Sequence, residues 1–193
     1  SARAQLRFLG PEGKPRPFKT FEEAEVFLME AEVVSERRIG AVINNPLKCL
    51  LYRRAVQDHA VFRDVSVKKA TVKLGEETHR NFRDDAIFEV AAYELAKLLG
   101  LDTIPPTVVR KHKRKRGTLQ LWVEGGMTER ARIQKEQSPD DVEAWRQAVS
   151  NMRVFDNLID NDDRNQGNML FDSRWQMWLS DHGRTVRRHK TLF

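Results

Sequence analysis

Apolar and polar residues follow two rhythms along this chain, and the changes of rhythm mark its elements. In "TFEEAEVFLMEAEVV" (20–34), Ala24, Phe27, Leu28 and Ala31 recur at three-and-four spacing, which predicts a helix. Thr20, with Glu23 three residues on, gives that helix a capping-box start. Short β-like runs follow at "IGAVI" (39–43), "KCLLYRRAV" (48–56) and "HAVFRDVSV" (59–67), separated by the turn signals "NNP" and "QD". "DDAIFEVAAYELAKLLG" (84–100) is the clearest helix. Its expected apolar stripe is Ile87, Val90, Ala91, Leu95, Leu98 and Leu99, and Gly100 is a natural stop.

"TIPPTVVRK" (103–111) and "GTLQLWVEG" (117–125) predict two strands, with a basic run at the hairpin tip between them. "MTERARIQKEQSPDD" is polar and predicts a loop with a short helix. The next helix is expected to start at Ser138 as N-cap, with Asp141 three residues later. Its apolar face is Val142, Trp145, Val149, Met152 and Phe155. Last, "NMLF" (168–171) and "WQMWL" (175–179) flank "DSR" and predict a hairpin. This order implies an α+β fold with an N-terminal antiparallel sheet lobe over residues 1–124 and a mainly helical C-terminal lobe over residues 125–193.

Composition narrows the class. A chain of 193 residues fits one domain or two small lobes around a shared core. No apolar run approaches the length that spans a bilayer, and "SARAQLRFLGPEGKPRPF" lacks the apolar centre of a signal peptide. The single cysteine, Cys49, excludes an internal disulfide and any Cys-based zinc site and reads as a buried strand thiol. A reducing, cytoplasmic setting is therefore expected. The net charge of +6 is uneven: "RKHKRKRG" (110–117) and "RTVRRHKTLF" at the end concentrate it. Such runs attract phosphates, lipid headgroups or nucleic acid, so an acidic partner or anionic surface is expected at residues 110–116. No aromatic residue interleaves with that run, which removes a stacking surface for single strands.

The candidate chemistry lies in "NLIDNDDRNQGNMLFDSRWQMWLSDHG" (157–183). Antiparallel pairing puts Asn168, which enters the first strand, and Asp181, which follows the second, at the same open end. The loop "DNDDRNQG" brings Asp163 to that end. One carboxamide and two carboxylates of this kind suit Mg²⁺ or Mn²⁺.

Asp163 and Asn168 stand five apart, and Asp181 opens "DHG" after the hairpin. "DRNQGNML…LSDHGR" resembles the paired motifs of atypical kinases, the phosphatidylinositol 3-/4-kinase-like group with its bacterial HipA-type relatives. "FEVAAYELAKLLGLDTIPPTVV" is similar to the Glu-bearing helix and following strand of those kinases, and "GTLQLWVEG" to the strand and hinge that contact adenine. The resemblance spans roughly residues 20–183. It implies a two-lobe kinase-like fold that uses ATP and Mg²⁺ or Mn²⁺ to phosphorylate a hydroxyl on a protein, lipid or small molecule. Asp163 would be the catalytic residue, Asn168 and Asp181 the metal ligands, and Leu121, Trp122 and Val123 the nucleotide contacts. Glu89 would pair with a basic residue from the sheet. That position usually holds Lys; here Arg63 aligns, with Lys68, Lys69 and Lys73 nearby. No Gly-rich phosphate loop is present in "GAVINNPLK", and only ten residues follow "DHG", which implies a compact variant or an incomplete lobe. Two further readings stay open: a pseudokinase that binds nucleotide or a partner, and nucleic-acid binding through 110–116.

Overall fold

The computed structural model describes residue 10 and residues 14–40, 46–74 and 76–185, with the backbone alone at 74, 77 and 79. Residues 41–43 of the expected run at 39–43, the loop that follows them, and most of the basic C-terminal stretch lie outside these residues.

Helix α1, Phe21–Glu30, starts as the capping box predicts. The Thr20 hydroxyl accepts the Glu23 N–H at 3.2 Å, and the Glu23 carboxylate accepts the Lys19 N–H at 2.7 Å. The helix buries Phe21, Ala24, Phe27 and Leu28, each worth about 1.5–3 kcal/mol for the large side chains. It ends before residue 34. Ala31 is extended, and Glu32–Arg38 form strand β1 against β2 (Leu47–Arg53). Pairing of the β-branched Val33 outweighs the helical tendency of its neighbours.

Strands β2 and β3 (Val56–Arg63) turn at Arg54 and Ala55, both at positive φ (49° and 65°). The expected "QD" turn instead lies inside β3. Strands β4 (Ser66–Leu74) and β5 (Glu77–Asp85) then pair only with each other, as a separate two-stranded ribbon. Helix α2 is Ile87–Leu98, followed by β6 (Thr107–His112) and β7 (Lys115–Leu121). The central sheet runs β1-β2-β3-β7-β6, antiparallel throughout.

Register divides that sheet into two faces. Cys49, Ala60 and Leu121 stand in one row and Phe62 with Leu119 in the next, all buried beneath α1 and α2. Lys48, Val61 and Gln120 form a row on the other face, and Arg63 shares it. The buried stripe of α2 differs from the expected one. It consists of Phe88, Glu89, Ala92, Tyr93 and Ala96, while Leu98 is 83% and Leu99 51% exposed. The small alanines let the helix lie close over β6 and β7, and Glu89 thereby enters the interior.

The C-terminal part is not mainly helical. It holds β8 (Met127–Thr128), α3 (Glu129–Gln134), α4 (Val142–Leu158), β9 (Met169–Phe171) and β10 (Met177–Leu179). The strands form a sheet in the order β10-β9-β8, because the apolar "MLF" and "MWL" runs bury themselves by pairing rather than coiling. Asp141 caps α4, accepting the Ala144 N–H at 2.9 Å, in place of Ser138. Met152 and Phe155 are buried, but Val142 is exposed. Asp172 makes the predicted turn: its carboxylate accepts the N–H of Arg174 and Gln176 and the Trp178 indole. Buried residues from both parts form one cluster, with Phe21 against Trp178 and Leu179 N–H donating to Thr103 at 2.7 Å.

Candidate functional site

The second face of the central sheet and the open end of the β9–β10 hairpin enclose a cleft of about 320 Å³. Val61, Arg63 and Gln120 line one wall, Leu121, Trp122 and Val123 the strand end, and Asn168 and Asp181 the opposite side. Six residues singled out in the sequence thus share one cavity. Lys68, Lys69 and Lys73 stand on the exposed β4–β5 ribbon and do not line it.

Glu89 reaches the cleft from behind. It is fully buried, and its Oε1 lies 3.7 Å from Arg63 Nε. The His182 N–H donates to the same oxygen at 3.0 Å, and His182 Nδ1 is 3.4 Å from Oε2. Burial alone would raise the carboxyl, yet Arg63 and His182 together hold it below the usual range. One guanidinium nitrogen of Arg63, Nη1, is buried with no hydrogen-bond partner among the described residues.

His182 joins Glu89 to Arg164, whose Nη2 lies 2.9 Å from His182 Nε2. A guanidinium only donates, so Nε2 accepts and the imidazole proton sits on Nδ1, facing Glu89. Arg164 also grips Asp156 through two bonds, 2.9 and 3.0 Å, and donates to the carbonyls of Asn168 and Ser180 at 3.0 and 2.8 Å. One arginine therefore fixes the end of α4, the start of β9 and the end of β10. The bidentate grip is geometry that lysine cannot supply.

Asp163 stands beside this framework and does not line the cleft. Its carboxylate faces Arg184, Oδ2 to Nη1 at 3.2 Å. Its carbonyl accepts the Asn168 side-chain amide at 3.2 Å, which leaves the Asn168 oxygen as a ligand atom. Burial raises the Asp163 carboxyl; Arg184 opposes that, and Asp181, Asp162 and Asp84 add to it. Asp181 itself is exposed and in the left-handed region, φ 61°, which an aspartate tolerates. Asn168 and Asp181 offer hard oxygens, and among the described residues no three His, Cys, Asp or Glu side chains converge on a metal position.

Several residues at this site escaped sequence reasoning. Lys48 Nζ sits 4.3 Å over the Trp122 ring and 3.4 Å from Glu124. Arg16 donates to the Trp122 carbonyl at 2.5 Å and to buried Asp58 at 2.6 Å. Arg184 follows "DHG" directly, but it reads as the first member of a basic tail. In the 110–116 run, Arg110 donates to the Leu28 and Ala31 carbonyls, His112 and Lys113 meet Glu36, and Lys115 meets Asp64. Much of that charge is answered within the molecule.

No protein-family model matches the chain, and no curated protein matches it. Among the described residues, no helix is long and apolar enough to cross a membrane.

Proposed function

We propose that the chain binds ATP with Mg²⁺ or Mn²⁺ in the cleft and transfers the γ-phosphate to a hydroxyl acceptor, within a two-lobe kinase-like fold. The observation that carries this reading is the single cavity lined by Arg63, Leu121, Trp122, Val123, Asn168 and Asp181. The donor set fits the group. Trp122 and Val61 give an apolar floor for the base. The Val123 N–H has no intramolecular partner among the described residues, and Arg63 keeps an unpaired donor beside the cleft. The Asn168 oxygen and the Asp181 carboxylate suit a hard divalent ion. When bound, that ion neutralises charge developing on the phosphates.

The residues then divide the work. Arg63, oriented by Glu89, supplies positive charge to the phosphates. Asp163 accepts the acceptor's hydroxyl proton as the acceptor oxygen bonds to the γ-phosphorus and the bond to the bridging β–γ oxygen breaks, releasing ADP. Its raised carboxyl makes it the better base at neutral pH.

A second reading, a pseudokinase that binds nucleotide or a partner without transfer, draws on one observation: the Asp163 carboxylate is engaged by Arg184.

Thermal melting with ATP, with and without Mg²⁺ or Mn²⁺, tests the shared part of both. Ligand at one hundred times its Kd should add about 2.7 kcal/mol. No metal-dependent stabilisation refutes the kinase reading, and no stabilisation by ATP at all refutes nucleotide binding in both. Radiolabelled ATP then separates them: transfer or hydrolysis abolished by Asp163→Asn supports the kinase, and binding without turnover supports the pseudokinase.

A further inference from the structure

The β4–β5 ribbon has no part in the cleft, yet it leads to Asp163. It stands between the strand of Arg63 and the helix of Glu89, nine residues to each strand. Register places Lys69, Thr71 and Lys73 opposite Phe82, Arg80 and Thr78, so these six residues share one face. Lys69, Lys73 and Arg80 are exposed, and among the described residues no ion pair engages them. Phe82 on that face lies under the Arg184 guanidinium at 5.3 Å, and Asp84 at its root lies 3.8 Å from Arg184. Arg184 in turn holds Asp163. The cationic face is therefore continuous with the candidate catalytic carboxylate.

The ribbon also has an unmet need. A two-stranded sheet alone is marginal in water, and a third strand makes it stable. Among the described residues no third strand pairs with β4 or β5; the outer edge of β5 is engaged at its root, where the Asp85 N–H donates to the Gly183 carbonyl at 2.9 Å, and beyond that root the edges are a template for an extended chain. Its Phe82 ring is covered by Arg184 and so is not an open platform for a stacking base.

We propose that the ribbon is the acceptor-docking arm: an acidic, extended polypeptide segment adds as a third strand along its edge, Glu or Asp side chains meeting Lys69, Lys73 and Arg80. A serine or threonine of that segment would reach Asp163. The assignment of the substrate class rests on the kinase reading above; the docking itself does not.

The test uses the whole chain without nucleotide and a fluorescent synthetic peptide of alternating glutamate and valine around one serine. Anisotropy should show binding that weakens with salt. The triple variant K69Q/K73Q/R80Q should lose about tenfold in affinity, while R37Q/R38Q on β1 should bind as the parent does. Methylating alternate peptide amides should abolish binding, because strand addition needs those N–H groups. Unchanged affinity in the triple variant, or in the methylated peptide, overturns the proposal. So does tighter competition by duplex DNA of equal charge. A circular-dichroism melt of the triple variant within a few degrees of the parent shows that the arm, not the fold, was altered. Should the variant melt far lower, the methylated peptide still decides on the parent chain. If the kinase reading alone is wrong, the peptide binds as described and gains no phosphate from MgATP.

Discussion

Replacing Glu89 with alanine should be among the most destabilising single changes this chain can carry. The side chain is fully buried and answers three groups: Arg63 Nε at 3.7 Å, the His182 N–H at 3.0 Å and His182 Nδ1 at 3.4 Å. Alanine leaves a mostly buried guanidinium without its carboxylate and two imidazole-residue donors without acceptors. Breaking a buried pair from one side costs about 3–5 kcal/mol. The pair is long for an ion pair, so the lower figure is the better expectation. At about 2–4 °C per kcal/mol for a chain of this size, the melting point should fall by about 10 °C. Scanning calorimetry of the parent, E89A, E89L, R63M and the double variant R63M/E89L gives the cycle through the E89L and R63M singles. The double variant should be less damaged than E89A, because no charge is left stranded. The sign with pH follows from a depressed carboxyl: this contribution is whole above the unfolded carboxylate range, near pH 4, and is lost only as pH falls through the lower folded value. A fall of under about 2 °C in E89A, or a double variant worse than the sum of the singles, would refute the account of Glu89 as the anchor of Arg63.

Two other perturbations follow from the same framework. A methyl group on Gly117 would fall on the Arg63 carbonyl oxygen across the β3–β7 pairing, so Gly117→Ala should cost about 3 kcal/mol and displace Arg63, read as a lower urea midpoint with weakened nucleotide-induced stabilisation. Asp58 is pushed up to about 6 by burial, with Arg16 pulling the other way, so between about pH 4 and 6 the native state holds a proton that the unfolded chain releases. Stability should therefore drop as pH rises through that window, by about 1.4 kcal/mol per unit at most, and urea titrations should show the slope vanish in Asp58→Asn.

What the sequence revealed depended on whether a feature was local. The cap of α1 needed only Thr20 and Glu23, and the β9–β10 hairpin needed only two apolar runs around Asp172. The convergence of Asn168 and Asp181 followed from that hairpin alone. Features set at long range stayed hidden. The turns at Arg54–Ala55 and Lys113–Arg114 adopt positive φ without glycine or asparagine, so strand pairing, not turn chemistry, decides them. The β4–β5 ribbon is polar on both faces and has no apolar alternation to read. On α2 the larger side chains suggested one stripe, while the alanines that permit close packing defined another. Glu89 was identified by resemblance on a helix whose predicted apolar face excluded it. Arg184 and Arg16 carry no local signature, since each acts through partners far off in the chain.

The reach of Arg16 makes the segment ahead of α1 part of the interior beneath the central sheet. Helix α1 is the first regular element among the described residues, yet Arg16 ahead of it supplies the counter-charge inside β3 and secures the carbonyl of Trp122. A fragment cut at Thr20 would keep every described helix and strand and still lack a part of its interior, leaving Asp58 buried without the guanidinium that answers it.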